Sequence, residues 1–200
     1  MGKSNVMNLL SEEHQLETIE RLLQQARRRL KSSAPYYLIW GWAVLLAAGG
    51  EWLILHFTTY PHHYLVWPII MPLAMAVSFR WTAKQGKKEY LTFFEQALQQ
   101  IWLGFGLLLV VFLLLSALQF GWSAGYSLII ALIGMGTFVS GGILRFRPLQ
   151  LGGIFSLILS LLPAIWPAHF GGFSVALLLL VAAIAVAYLV PGYLLQGQEQ

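Results

Sequence analysis

Six mostly apolar stretches divide the chain, and each is long enough to cross a membrane as a helix. About 20 apolar residues in a helix span the roughly 30 Å hydrocarbon layer of a bilayer. The pattern therefore predicts an all-α integral membrane protein with six transmembrane helices in three hairpins. The predicted spans are residues 36–57, 64–81, 101–120, 127–144, 149–166 and 173–190.

The polar segment before the first span, residues 1–33, has the pattern of an amphipathic helix. Ser11 suits the N-cap position, and acidic residues follow it while basic residues come near the end, which complements the helix dipole. An apolar seam repeats at intervals of three and four residues: Leu16, Ile19, Leu23, Ala26 and Leu30. Such a seam can pack on its own bundle, lie in the lipid headgroup layer, or pair with a helix of another chain.

Two further boundaries follow from the breaker residues. No Gly or Pro lies between residue 87 and the third span, so a helical extension in the cytoplasm is expected to continue into that span. Pro191 and Gly192 are expected to end the sixth span. The transmembrane domain would then be residues 34–192, followed by a cytoplasmic tail, 193–200.

Small residues recur along the fourth and fifth spans at spacings that place them on one helix face. Small side chains let two helix backbones approach closely in a membrane, so these faces are predicted to be helix–helix contacts. The residues are Gly134, Gly136, Ser140, Gly141, Gly142, Gly152, Ser156 and Ser160.

The 12 Lys and Arg residues all flank alternate ends of the spans, and the turns 58–64, 121–126 and 167–172 contain none. The positive-inside rule then places both termini in the cytoplasm and these three turns outside. The net charge of +4 comes from basic residues placed beside the membrane spans, so no nucleic-acid partner is expected. The absence of cysteine excludes disulfides and thiolate chemistry.

Glu51 is the one acidic residue within the first predicted span. An ionised carboxylate at this depth is costly unless it is paired, protonated or exposed to a water-filled cleft. Three roles remain open: a structural hydrogen-bonding group, a ligand or proton site with His56 and Pro72, or a metal site with histidines from the outer turns. The metal candidates are Glu51, His62, His63 and His169. His56 follows Glu51 by about 140° around the helix, so these two do not share a face.

Signatures of known enzyme classes are missing. The chain has no HExxH, GxSxG or P-loop motif and no paired carboxylates within the spans. A non-enzymatic protein without a cofactor is therefore expected.

The first span opens on an aromatic patch, Tyr36, Tyr37, Leu38, Ile39, Trp40, Gly41 and Trp42. Together with the charged helix before it, this patch resembles a group of small bacterial inner-membrane proteins of unknown function. The resemblance implies a bacterial cytoplasmic membrane as the location and supplies no catalytic residues.

Two functions follow as expectations. The first is an accessory or sensor-like module that binds a protein partner, or a second copy of itself, through its cytoplasmic helices. The alternative is a small transporter or a ligand- or metal-binding membrane protein that uses Glu51 and the outer histidines. The two differ in where they place the functional contacts.

Overall fold

Every regular element in the described residues is a helix, as the hydrophobic pattern predicts. The computed structural model describes residues 34–84 and 93–197. Six helices are long and apolar enough to span a membrane, which confirms the number of predicted spans. The helices are α1 (Ala34–Phe57), α2 (Val66–Lys84), α3 (Phe93–Leu115), α4 (Gly121–Leu144), α5 (Arg147–Ile165), α6 (Pro167–Phe170), α7 (Phe173–Ile184) and α8 (Val190–Gly197).

The turn predicted at 121–126 does not exist, because α4 already begins at Gly121. The last turn of the preceding helix is a π-helical segment, Ser116–Phe120, and Gly121 then adopts φ +75. This left-handed conformation is readily available only to glycine. A single residue therefore reverses the chain direction, and the fourth span is longer than its predicted range. The predicted turn at 167–172 likewise contains the short helix α6.

The prediction that Pro191 and Gly192 end the sixth span is wrong. α7 continues through a π-helical segment, Ala185–Leu189, into α8, which ends at Gly197. Proline normally breaks a helix because it lacks an N–H group and its ring collides with the preceding turn. Here the π segment lies immediately before Pro191, and Val190 donates its N–H to the Ala185 carbonyl oxygen five residues earlier. The wider turn accommodates the proline ring, and residues 193–197 are helical.

Backbone contact between α4 and α5 confirms the helix–helix contact predicted for Gly134 and Gly141. A Cβ atom placed on Gly153 would lie 2.6 Å from the Phe138 amide nitrogen and 2.7 Å from the Gly134 carbonyl oxygen. A Cβ on Gly141 would lie 2.7 Å from the Gln150 amide nitrogen. Only glycine permits this separation, so the backbones of α4 and α5 are in direct contact.

The buried core lies among α1, α4 and α7. In the last span, 50% of the most apolar segment is buried inside the protein, and in α4 the buried share is 44%. In the second and third spans, formed by α2 and α3, it is 6% each. α2 and α3 therefore lie at the periphery and present apolar side chains outward, as lipid-facing helices do.

The two ends of the bundle differ in chemistry. The loop 58–62 and His63 come together with the first turns of α4 and α7, and we call this the histidine end. The opposite end, where α2 and α4 finish, carries Arg80, Lys84, Arg145 and Arg147, and we call it the arginine end. The apolar seam at 16–30, the start of the α3 extension at 87–92 and the final residues 198–200 lie outside the described residues.

Candidate functional site

Glu51 lies six residues before the end of α1 and is 1% exposed. Rotation along α1 turns its side chain toward α2 and α4, because Ala47 and Ala48, one turn earlier, are also fully buried. A Cβ on Gly50 would lie 3.6 Å from a methyl group of Val66, an ordinary van der Waals distance, so α1 and α2 are neighbours here. The single acidic residue of the first span is therefore inside the protein.

Three side chains from three different segments donate hydrogen bonds to the Glu51 carboxylate. Trp67 Nε1 on α2 donates to Oε2 at 2.7 Å, and the Tyr126 hydroxyl on α4 donates to the same oxygen at 2.9 Å. His63 Nδ1, from the 3-10 turn His63–Leu65, lies 2.7 Å from Oε1. We call these four residues the Glu51 cluster.

Two donors occupy Oε2 of Glu51. An indole N–H can only donate, and with the Tyr126 hydroxyl it fills Oε2, which leaves no room for a proton on that oxygen. An ionised Glu51 would accept a further hydrogen bond at Oε1 from Nδ1–H of His63. Hydrogen bonds to a charged group contribute about 1.5–3 kcal/mol each, and the unpaired carboxylate would be costly to bury. The cluster therefore holds α1, α2 and α4 together.

His63 is the member of the cluster that reaches the surface. Its side chain is 24% exposed, compared with 2% for the side chain of Glu51. The imidazole packs against Phe173 at the start of α7, with ring centroids 5.8 Å apart. Because Nδ1 faces Glu51, Nε2 is the nitrogen that remains available to other partners. His63 therefore connects a buried carboxylate with the surroundings of the protein.

The other residues proposed for a ligand or proton site lie elsewhere. His56 stacks on Trp52 with ring centroids 5.0 Å apart and makes no hydrogen bond to Glu51. Pro72 is exposed in the interior of α2. Of the residues named in the proposed ligand or proton site, Glu51 is thus the one that belongs to the cluster.

The residues proposed for a metal site are only partly brought together. His63 contacts Glu51, whereas His62 Nδ1 pairs with the Tyr64 hydroxyl at 3.1 Å and His169 lies on α6. Within residues 34–84 and 93–197 no group of three or more His, Asp or Glu side chains has a geometry that could hold a metal ion.

A second buried polar layer lies at the arginine end. The rings of Tyr37, Trp102 and Tyr188 form a triangle with centroid separations of 5.5 to 6.3 Å. The Tyr37 hydroxyl lies beside Ser140, and the Tyr188 hydroxyl lies beside Thr137. We call these five residues the Tyr37 cluster. It joins α1, α3, α4 and the π segment that follows α7.

The two clusters share α1 and α4 and are separated by an apolar layer. Tyr37 precedes Glu51 by 14 residues, about 21 Å along α1, and Tyr126 precedes Thr137 by 11 residues, about 16 Å along α4. Residues 128–136 of α4 between them are all apolar or glycine. The core side chains there include Ala47, Ile130 and Ile133, all buried.

Neither protein-family models, nor curated proteins, nor solved structures give a match to this chain. Functional assignment therefore rests on the residues and their geometry.

Proposed function

We propose that this protein is a non-enzymatic, sensor-like membrane module, with the Glu51 cluster as its sensing site. The observation that carries the proposal is that one buried carboxylate ties three helices together through side-chain hydrogen bonds, while its partner His63 is partly exposed. A change in the state of His63 would alter the bonding of Glu51. It would thereby change how α1 packs against α2 and α4.

The apolar layer between the two clusters favours sensing over conduction. A proton or ion passing through the bundle needs a continuous row of polar groups or water. Between Glu51 and Tyr37, α1 offers apolar side chains and glycine on its buried face. A rigid helix can carry a small displacement across this distance, because packed interfaces shift between discrete arrangements. α1 is accordingly proposed as the connection between the ends.

The proposed location is a bacterial cytoplasmic membrane, with both termini in the cytoplasm and the histidine end outside. The positions of the 12 Lys and Arg residues support this orientation. The aromatic patch at 36–42, which resembles that of small bacterial inner-membrane proteins, supports the bacterial assignment. In this orientation α1 runs outward from the amphipathic segment 1–33.

The proposed output is an association made by the segment 1–33. Its seam, Leu16, Ile19, Leu23, Ala26 and Leu30, has the spacing of a face that pairs with another helix. The partner would be a cytoplasmic or membrane protein, or a second copy of this chain. Because α1 follows this segment directly, a movement of α1 would change how the seam is presented.

The test is the composition of complexes purified gently from the native membrane. Tagged wild-type protein is expected to retain a stoichiometric partner or to form a homo-oligomer, and deletion of residues 1–31 is expected to abolish the association. Glu51→Gln is expected to change the amount of associated partner, and His62→Gln, beside the cluster, serves as the control. An association that survives the deletion unchanged would refute the proposal.

A small transporter or ligand-binding protein is the second candidate. A shallow, open groove of about 380 Å³ lies between Ile54 on α1 and Val66, Ile69 and Ile70 on α2, and a hydrophobic molecule would suit its apolar lining. The burial of Glu51 weakens the transport version, which requires a water-filled cleft at this carboxylate. The same purification discriminates the two, because a bound small molecule lost with Glu51→Gln would favour the second candidate.

A further inference from the structure

We infer that the signal sensed at the Glu51 cluster is a proton, taken up by His63 from the histidine end. This inference rests on the proposed function, because it names what the sensing site responds to. The protonated imidazolium would pair with the Glu51 carboxylate, and the neutral imidazole would leave that carboxylate without a counter-charge. Three features of the cluster support the inference.

The first feature is that the two nitrogens of the His63 imidazole have different surroundings. Nδ1 is 2.7 Å from Glu51 Oε1, so an ionised Glu51 would accept the hydrogen of Nδ1 there. Proton exchange must then occur at Nε2, on a side chain that is 24% exposed. Glu51 itself is 1% exposed and Tyr126 is buried, so His63 is the place where a proton from outside enters the cluster.

The second feature is the charge of the surroundings. The groups that face His63 are Glu51 from α1, Tyr64 beside it in the 3-10 turn, and the uncharged Phe173 from α7. α2 and α4 contribute the neutral donors Trp67 and Tyr126 to the same carboxylate. The neighbouring His62 is engaged with the Tyr64 hydroxyl, and His56 stacks on Trp52.

Within residues 34–84 and 93–197, the permanent cations lie far from the cluster. These Lys and Arg residues are Arg80, Lys84, Arg145 and Arg147, and all four are at the arginine end. Among the described residues, His63 is therefore the cation candidate that lies against Glu51. A buried carboxylate with a paired imidazolium is far less costly than one with neutral donors alone.

The third feature is the position of the cluster between α1 and the start of α2. His63 belongs to a three-residue turn that directly precedes α2, and its partner lies on α1. With His63 protonated, the charge pair holds the start of α2 against α1. With His63 neutral, water competes for Glu51 and the contact between α1 and α2 loosens. Acidic conditions at the histidine end would close the site, and alkaline conditions would open it.

The absence of cysteine from the chain allows this opening to be measured by thiol labelling. Val66→Cys places a half-buried thiol in the groove between α1 and α2, and Thr59→Cys places one in the exposed loop. The full-length protein in lipid nanodiscs is labelled with a membrane-impermeant maleimide from pH 5 to pH 8. The ratio of the two labelling rates removes the intrinsic pH dependence of the thiol.

The expected result is that the ratio of Val66→Cys to Thr59→Cys labelling rises at least tenfold between pH 5 and pH 8, which corresponds to about 1.4 kcal/mol. His63→Gln retains a donor for Glu51 but cannot be protonated, and the ratio should then be independent of pH. His62→Gln, which alters the neighbouring histidine, should preserve the wild-type response.

Several outcomes would overturn the inference. They are a ratio that does not change with pH in the wild-type protein, a response that persists in His63→Gln, or a response that His62→Gln abolishes. Addition of Zn²⁺ or of a chelator at fixed pH tests whether a metal replaces the proton as the signal, and a metal-dependent ratio without pH dependence would also overturn it. If the labelling ratio responds to pH as expected but Glu51→Gln leaves the amount of associated partner unchanged, the proposed function alone would be refuted.

Discussion

Removing the Tyr126 hydroxyl tests whether Glu51 is a buried, ionised acceptor. Tyr126→Phe deletes the 2.9 Å hydrogen bond to Oε2 and leaves the aromatic ring, which packs against Trp67 and Phe173, in place. The volume lost is one oxygen atom, so packing changes little. The effect on stability should therefore come almost entirely from the hydrogen bond.

The magnitude follows from the charge and the burial of the acceptor. A hydrogen bond to a charged group contributes about 1.5–3 kcal/mol, and the carboxylate that loses it is 1% exposed and has no water to replace the donor. We expect Tyr126→Phe to lower the free energy of unfolding by about 2 kcal/mol. For a chain of this length, that corresponds to a fall in melting temperature of roughly 4–8 °C.

The protein offers a matched control in Tyr193. Its hydroxyl accepts a hydrogen bond from Trp42 Nε1, also at 2.9 Å, but both residues are exposed. Tyr193→Phe should cost at most about 0.5 kcal/mol, as surface substitutions usually do. Thermal unfolding of both variants in nanodiscs, followed by circular dichroism, makes the comparison. Equal melting temperatures for Tyr126→Phe and Tyr193→Phe would refute the reasoning about Glu51.

Three further substitutions test the packing. Gly153→Ala would place a methyl group against the backbone of α4 and should destabilise the protein by about 1–3 kcal/mol, measured by thermal unfolding. Gly104→Ala has open space around the new methyl group and should be neutral or stabilising by up to about 1 kcal/mol. An equal loss of stability in Gly153→Ala and Gly104→Ala would contradict the close α4–α5 contact. Gly121→Ala forces a Cβ into a left-handed conformation and should cost about 1–2 kcal/mol, although nothing lies within 4 Å of the new atom. An unchanged melting temperature for Gly121→Ala would mean that the chain does not reverse at this residue.

The number and approximate positions of the six spans could be predicted because runs of apolar residues report directly on membrane helices. The α4–α5 contact was also predictable, since small residues at fixed spacing mark a helix face independently of its partner. The expectation that Glu51 needs compensation followed from the cost of a buried charge. The structure supplies that compensation through hydrogen bonds.

The donors themselves could not be found from the sequence. Trp67 and Tyr126 lie 16 and 75 residues from Glu51, and an aromatic side chain near a span boundary is typical of any membrane protein. Tyr126 was further hidden because the turn was predicted at 121–126, where the structure has helix. His63 was one of several histidines in the turns at 58–64 and 167–172, and only the tertiary packing distinguishes it from His62.

The missed helix continuation at Pro191 has a different cause. Proline and glycine are local signals that a helix ends, and they carry no information on the hydrogen-bond pattern of the preceding turn. The π segment Ala185–Leu189 changes the hydrogen-bond register just before the proline. Such a segment depends on how the helix packs in the bundle, which sequence periodicity does not report.

The most direct test of the central claim is the ¹⁵N–¹H signal of the Trp67 indole, because this N–H donates to Glu51 at 2.7 Å. The signal is assigned among those of the 8 tryptophans by its loss in Trp67→Phe, and then followed from pH 5 to pH 8 in nanodiscs. In the wild-type protein we expect a strongly hydrogen-bonded indole signal that shifts with pH. In His63→Gln the signal should remain fixed, and in Glu51→Gln it should move away from its hydrogen-bonded position. A Trp67 signal that is unaffected by both substitutions and by pH would contradict it.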